Sequence, residues 1–486
     1  MKTSSSPRIP REIFTFFTNP GGHSLILRGN AGAGKTTFAL QTIEDLSELE
    51  RSYYVSTRVS DDSLFKQFPW LRNRIGRTSM GLGEDGENDS VSRSGLNDLK
   101  GFETTAIGIS NGKMSVSIGR ELRDIESIYD AVESNLPERS LVVIDSIDAM
   151  AEKYGMTCSK LINTIQKDVV EQYGANALFV LENADAQLDY LGDGVVMLSV
   201  KEFQRRRIRE IDLLKLRGCE IQQPKYLYTL RGGKIRSFGL NGDSRPMSPG
   251  CWSSIPDNDG MISSGIQDLD RLLEGGLERG SITLIELGEG IPTSFTRLLE
   301  TSLVSNFVSL GRGVLWIPLR KASPETSRGY LLKMIDENDF DRLVRIPISA
   351  SQLNMFDSKH IMAVEGLDAS ADLSWKNIEY SLQGAESPFL SLVGFDTMES
   401  IYGGDLMNKL MGHLGAIRSN EGVFVGITSP SARSTERLAD LANVHIKIDR
   451  IGGTIIMYGK EPFTGCNAIT YGHRENGGCV TLTQIL

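Results

Sequence analysis

The chain has 486 residues, 40% of them hydrophobic and 23% charged, with a formal net charge of -10. That length holds more than one domain of ordinary soluble composition, and the acidic balance argues against a general nucleic-acid coat. The five cysteines, Cys158, Cys219, Cys251, Cys466 and Cys479, are scattered and form no C-x-x-C pair, which argues against a disulfide framework or zinc site and for a reducing cytoplasm.

The opening MKTSSSPRIPREIF lacks an apolar signal core, and no stretch is long enough to span a bilayer, so no membrane association is expected. A short apolar strand at 24–27 runs into GNAGAGKT at 29–36, and TFAL follows as the start of a helix. This is a phosphate-binding loop in the setting it requires. Its glycines let backbone N–H groups face an anion, Lys35 can reach the β- and γ-phosphates of ATP, and the Thr36 hydroxyl can ligate Mg²⁺. The expected nucleotide cradle is Gly29, Asn30, Ala31, Gly32, Ala33, Gly34, Lys35, Thr36 and Thr37. A chance glycine-rich turn is the alternative, and the complete match with correct flanks counts against it.

Strand-like runs at 53–56, 141–144, 177–181 and 195–200 alternate with helix-like segments, the pattern of βαβ units and a mainly parallel sheet. A stretch at about 76–119, rich in Gly, Ser, Asn and Asp, interrupts the alternation as a polar surface insertion. Asp145 ends the apolar run LVVID, where a carboxylate can hold Mg²⁺ or accept a hydrogen bond from Thr36; Thr36 and Asp145 are the expected metal positions. Arg205, Arg206, Arg207 and Arg209 form the densest basic run. They read either as a docking site for an acidic protein or nucleic acid, or as exposed arginines paired with Glu202, Glu210 and Asp212.

Clustered Pro, Gly, Ser and Asp mark a linker at 239–260. The order of elements then repeats, with strand-like runs at 314–319, 390–395, 423–428 and 444–448, which predicts an internal duplication: domains 1–238 and 261–486. In the second copy GEGIPTSF at 288–295 stands where the first has GNAGAGKT. Thr293, Ser294 and Phe295 replace Gly-Lys-Thr, leaving no ammonium for phosphates, and Asp396 keeps the acidic strand end without its usual partner. This copy is expected to be degenerate and to bind no triphosphate.

GNAGAGKT, LVVIDSIDAM at 141–150, LDYLGDGVVML at 188–198, the K-x-R-G element Lys215-Leu216-Arg217-Gly218, and GIQDLDRLLEGGLERGS at 265–281 together resemble the RecA superfamily in its KaiC/RadA-like branch. The resemblance implies an α/β fold of two tandem RecA-like P-loop domains, each a mainly parallel twisted sheet flanked by helices. It implies catalytic positions at Lys35, Asp145, Lys215 and Arg217, the last two reaching a neighbouring subunit's nucleotide as an arginine finger does; that role in trans would require a homo-oligomer, a ring or filament, which the insertion at 76–119 could block. That branch carries adjacent glutamates after its second strand. Here Arg58 and Val59 stand in their place, so slow hydrolysis is expected; Asp61, Asp62 and Asp148 are the carboxylates to test as substitutes.

Within the branch, the opening IPREIFTFFTNPGGHSLILRGNAGAGKTTFAL and the arginine run resemble archaeal gas-vesicle regulatory proteins of the D type. That family acts as a repressor on an activator partner. The implied function is an ATP- and Mg²⁺-dependent regulatory protein of the cytoplasm, read by a partner protein. A DNA recombination or repair ATPase is disfavoured by the net charge and the missing glutamates, a clock-like phosphotransfer enzyme by the second loop, and a scaffold with a vestigial site by the intact first loop.

Overall fold

Apolar runs without alternation build the centre of a parallel sheet, because such strands are buried on both faces. The computed structural model describes residues 8–57, 61–73, 105–110, 113–118, 122–182, 186–239, 253–320, 324–349, 359–403, 405–471 and 480–486. The chain divides into two compact units, Met1–Gly239 with Ile485–Leu486, and Leu240–Gln484.

In the first unit the helix Arg11–Thr18 buries Ile13, Phe16 and Phe17, spaced to share one face. The strands follow as β1 (Ser24–Gly29), β2 (Arg51–Ser56), β3 (Thr105–Ser110), β4 (Lys113–Ile118), β5 (Ser140–Asp145), β6 (Asn176–Val180), β7 (Gly194–Phe203), β8 (Arg206–Leu216), β9 (Lys225–Thr229) and β10 (Arg236–Phe238). Among the described residues, eight of them form one sheet in the order β10-β9-β8-β7-β1-β6-β5-β2. From β7 through β2 every pairing is parallel, and β8, β9 and β10 extend the sheet antiparallel. Successive residues of β1 and β5 point to opposite faces. Leu25, Leu27, Leu141 and Val143 pack with Phe16, Phe38 and Leu40, while Ile26, Val142 and Ile144 pack with Ile125, Tyr129 and Leu161. Within the expected polar insertion, β3 and β4 pair as an antiparallel hairpin of their own. The rest of that segment, like Arg58 and Val59, lies outside the described residues.

The second unit carries β11 (Ile282–Leu287), β12 (Arg312–Ile317), β13 (Val344–Ser349), β14 (Ile361–Val364), β15 (Glu386–Gly394), β16 (Val423–Thr428), β17 (Val444–Ile451), β18 (Thr454–Glu461), β19 (Asn467–Tyr471) and β20 (Val480–Gln484). Their order is β14-β13-β12-β15-β16-β11-β17-β18-β19-β20. The run β17-β11-β16-β15-β12 repeats β7-β1-β6-β5-β2 of the first unit, all parallel, with antiparallel strands added beyond β17. The fold is therefore two tandem mainly parallel α/β units of RecA-like order. Residues at the end of the expected linker are tied to the second unit: Asp257 pairs with Arg312, and Ile255 N–H donates to Asn306 Oδ1 at 2.8 Å.

Candidate functional site

Parallel register sets the C-terminal ends of β1, β6 and β5 side by side, since Val180 lies opposite both Leu27 and Asp145. That edge is where open α/β sheets hold ligands. β1 ends at Gly29, where an added Cβ would fall 2.3 Å from the Leu198 carbonyl oxygen. Gly34, at φ 88°, turns the loop into the 12-residue helix Lys35–Leu46, whose N-terminal dipole end favours an anion.

The polar groups of this edge converge. Lys35 Nζ donates to Gly29 O at 2.6 Å and to Glu182 O at 3.3 Å. Thr36 Oγ1 donates to Asp145 Oδ2 at 2.7 Å, and the Tyr54 hydroxyl donates to the same oxygen at 2.9 Å. Ser146 Oγ donates to Glu182 Oε1 at 2.8 Å, and Glu182 N–H donates to Asp148 Oδ2 at 2.8 Å. A hydroxyl and a carboxylate in contact are the hard oxygen donors Mg²⁺ takes, and an ammonium beside a positive-φ glycine loop suits phosphates, so these residues fit a Mg²⁺-nucleotide. Tyr54 and Glu182 escaped sequence reasoning: the signals were an ordinary strand tyrosine and a single glutamate after an apolar run.

The loop is also held from behind. Arg209 Nη1 donates to Gly32 O at 2.9 Å, the Tyr228 hydroxyl donates to Ala33 O, and the Leu230 side chain would lie 3.0 Å from a Cβ on Gly34. Burial pushes the Tyr228 phenol up to about 12, with the Arg209 charge opposing, so it stays a donor. All three residues come from β8, β9 and the turn after β9.

Residues 13–215 match the family described as GvpD gas vesicle protein, P-loop domain. Residues 13–215 are a RecA-like P-loop domain of the gas vesicle protein D type. Over 98% of its length the chain is 25% identical to Protein GvpD2 of Halobacterium salinarum, covering 96% of that protein. Protein GvpD1 of the same organism is 23% identical over the same shares. Over 60% of the chain, the circadian clock oscillator protein KaiC of Acaryochloris marina is 24% identical, with 51% of that protein covered.

In this D-type domain the K-x-R-G pair lies at the other end of the sheet. Leu216 sits opposite Gly194, which sits beside Leu25, four residues before Gly29; that is about 13 Å at roughly 3.3 Å per residue. Lys215 Nζ donates to Gly192 O at 2.6 Å, and exposed Arg217 meets Asp193 at 3.2 Å. Burial, with the neighbouring Arg217 charge, draws the Lys215 ammonium below its usual range. Neither side chain can reach a nucleotide bound by its own chain.

The arginine run is split rather than continuous. Gln204 and Arg205 form the β7–β8 turn with φ of 50° and 61°, as a two-residue hairpin of the primed type needs. Arg205 and Arg207 are exposed, whereas Arg206 and Arg209 are 6% and 8% exposed. Among the described residues, two of the three carboxylates considered as partners of the arginines meet lysines. Glu210 takes Lys201 and Lys225, and Asp212 takes Lys225 at 3.2 Å.

The corresponding edge of the second unit is furnished differently. In the 288–295 loop, Gly290 alone has a positive φ, and the helix Thr293–Ser309 follows an N-cap proline, which has no N–H to offer. Phe295 is buried in the core. Asp396 Oδ1 accepts from the backbone N–H of Arg320 at 3.2 Å and of Thr397 at 2.8 Å. A cavity of about 990 Å³ remains beside this loop, lined by Arg320, Arg433 and Arg437 as well as by Glu289, Asp396 and Glu399.

Proposed function

We propose that the chain is an ATP- and Mg²⁺-binding regulatory protein of gas-vesicle formation, acting as a repressor through a partner protein. The observation that carries this reading is the first unit's loop, with Thr36 on Asp145 at 2.7 Å and Arg209 on the loop's Gly32 carbonyl at 2.9 Å. Lys35 would hold the phosphates, and Thr36 and Asp145 would hold Mg²⁺, which when bound neutralises charge on the phosphates. β8, which carries Arg209 and Arg207 and follows the Arg205 turn, runs from the back of the loop to an exposed basic tip. A change in the loop on nucleotide binding is thereby passed to a surface that an acidic partner can read. Lys215 and Arg217 belong in this account only in a homo-oligomer, where a second chain's nucleotide would meet them. The second unit is the degenerate copy, without a triphosphate site, and serves assembly or partner contacts. Hydrolysis is slow, well under the enzyme median of about 10 per second.

The test is expression of the chain, alone and as Lys35→Ala, in gas-vesicle-forming archaeal cells, with vesicles scored by flotation. The wild type is expected to suppress vesicles and the variant to lose that effect at equal protein level. Equal suppression by both would remove nucleotide control from the account. A recombination ATPase would instead leave vesicles untouched and bind DNA in the presence of ATP.

A further inference from the structure

The chain lacks carboxylates at Arg58 and Val59, where a water-activating pair is expected, yet a different glutamate, Glu182, follows the strand between β1 and β5. β6 lies between the strand that delivers the phosphate loop and the strand that delivers Asp145. Val180, the last residue of β6, is level with Leu27 and Asp145, and Glu182 follows it two residues beyond that edge, in a bend. Its backbone carbonyl is 3.3 Å from the Lys35 ammonium. Its carboxylate is fixed from the other side. Ser146 Oγ accepts the Ala149 N–H at 3.4 Å, so its one proton is directed to Glu182 Oε1 at 2.8 Å. Asp148, a candidate base from the sequence, holds the Glu182 N–H instead, and Cys158 Sγ lies 3.9 Å from its other oxygen.

We propose that Glu182 is the catalytic carboxylate of this P-loop, with Ser146 and Asp148 as its positioning residues; the proposal rests on the nucleotide-binding reading above. Ser146 occupies one lone pair of Glu182 Oε1 and fixes the carboxyl group's direction, and a carboxylate so held is a group that can take a proton from water. In the step, a water oxygen bonds to the γ-phosphorus of ATP as the bond from that phosphorus to the β–γ bridging oxygen breaks. ADP leaves with the electron pair, the water's proton passes to the Glu182 carboxylate, and Glu182 later releases it to solvent. The slow turnover expected of the chain then runs through a residue after β6 rather than one after β2.

The experiment measures MgATP affinity by calorimetry and single-turnover hydrolysis for the full chain, Glu182→Gln and Ser146→Ala. Gln keeps the shape and can still accept from Ser146. Glu182→Gln is expected to slow hydrolysis about 100-fold or more, the usual worth of a general base, and to abolish the acid limb of the pH–rate profile without weakening ATP affinity. Ser146→Ala is expected to slow hydrolysis less, with affinity kept. Wild-type turnover in Glu182→Gln overturns the proposal. So does loss of affinity in step with rate, failure of that isosteric variant to fold, or a wild type that binds ATP and never hydrolyses it. A wild type that binds no ATP would instead overturn the nucleotide-binding reading itself.

Discussion

Replacing Arg209 and Arg207 separately by alanine should give opposite results, although the two residues are neighbours in one basic run. Arg209 is 8% exposed and donates to Gly32 O at 2.9 Å. Losing a buried hydrogen bond from a charged donor costs about 1.5–3 kcal/mol, and more if the carbonyl is left without a partner. For a unit of roughly 240 residues, 1 kcal/mol moves the midpoint about 2–4 °C, so Arg209→Ala should lower melting by about 3–12 °C. Arg207 is exposed. A surface change of that kind stays within about 0.5 kcal/mol, or about 2 °C. The assay is thermal unfolding of the full chain by circular dichroism, with the first unit's transition identified as the one ATP raises. Arg209→Ala should also weaken ATP binding, because the loop it braces is the one that wraps phosphate. Arg207→Ala together with Arg205→Ala should leave melting and ATP binding intact and abolish vesicle suppression. If Arg209→Ala melts and binds ATP like Arg207→Ala, the idea that β8 braces the loop is refuted.

Two further perturbations bear on other parts of the molecule. Tyr54→Phe removes one of the donors to Asp145 Oδ2, now 2.9 Å away, and should destabilise the ATP-free first unit by about 1–2 kcal/mol; an unchanged melting temperature would show that hydrogen bond to be worth nothing. Burial pushes the fully enclosed Glu300 carboxyl up to about 8, against the N–H of Leu319, which lowers it. The folded second unit therefore holds a proton that the unfolded chain releases near 4.5, so this contribution to stability is full below about pH 4.5 and is lost as pH rises toward 8. Glu300→Gln should flatten that decline and raise second-unit melting at pH 8 relative to pH 5; a decline unchanged by the substitution would assign it to other groups.

The fold was legible because its signals are local. Runs such as LVVID and LFVL are apolar without alternation, and burial on both faces of a parallel sheet requires just that. The loop was legible because GNAGAGKT fixes glycines, ammonium and hydroxyl within one turn, and Asp145 because it ends a buried run. What stayed hidden depends on strand order. Glu182 becomes notable only once β6 is seen between β1 and β5. The arginine run reads as one patch until β8 is paired, when Arg209 is found under the loop and Lys201 and Lys225 are found on the carboxylates assigned to the arginines. The K-x-R-G element, expected to reach a neighbouring subunit's nucleotide, gives no hint in sequence that register sets Leu216 against Gly194 at the far end of β1. The composition that suggested a linker at 239–260 gave no sign that Asp257 pairs with Arg312, a contact made across 55 residues of sequence.

Calorimetric titration of the full chain with MgATP tests the central claim most directly. One intact loop and one degraded loop predict one site per chain. Lys35→Ala removes the ammonium that now rests on Gly29 O at 2.6 Å, and should weaken that site by about 1.5–3 kcal/mol, roughly 10- to 150-fold. Two equivalent sites per chain, or an affinity indifferent to Lys35, would contradict the account.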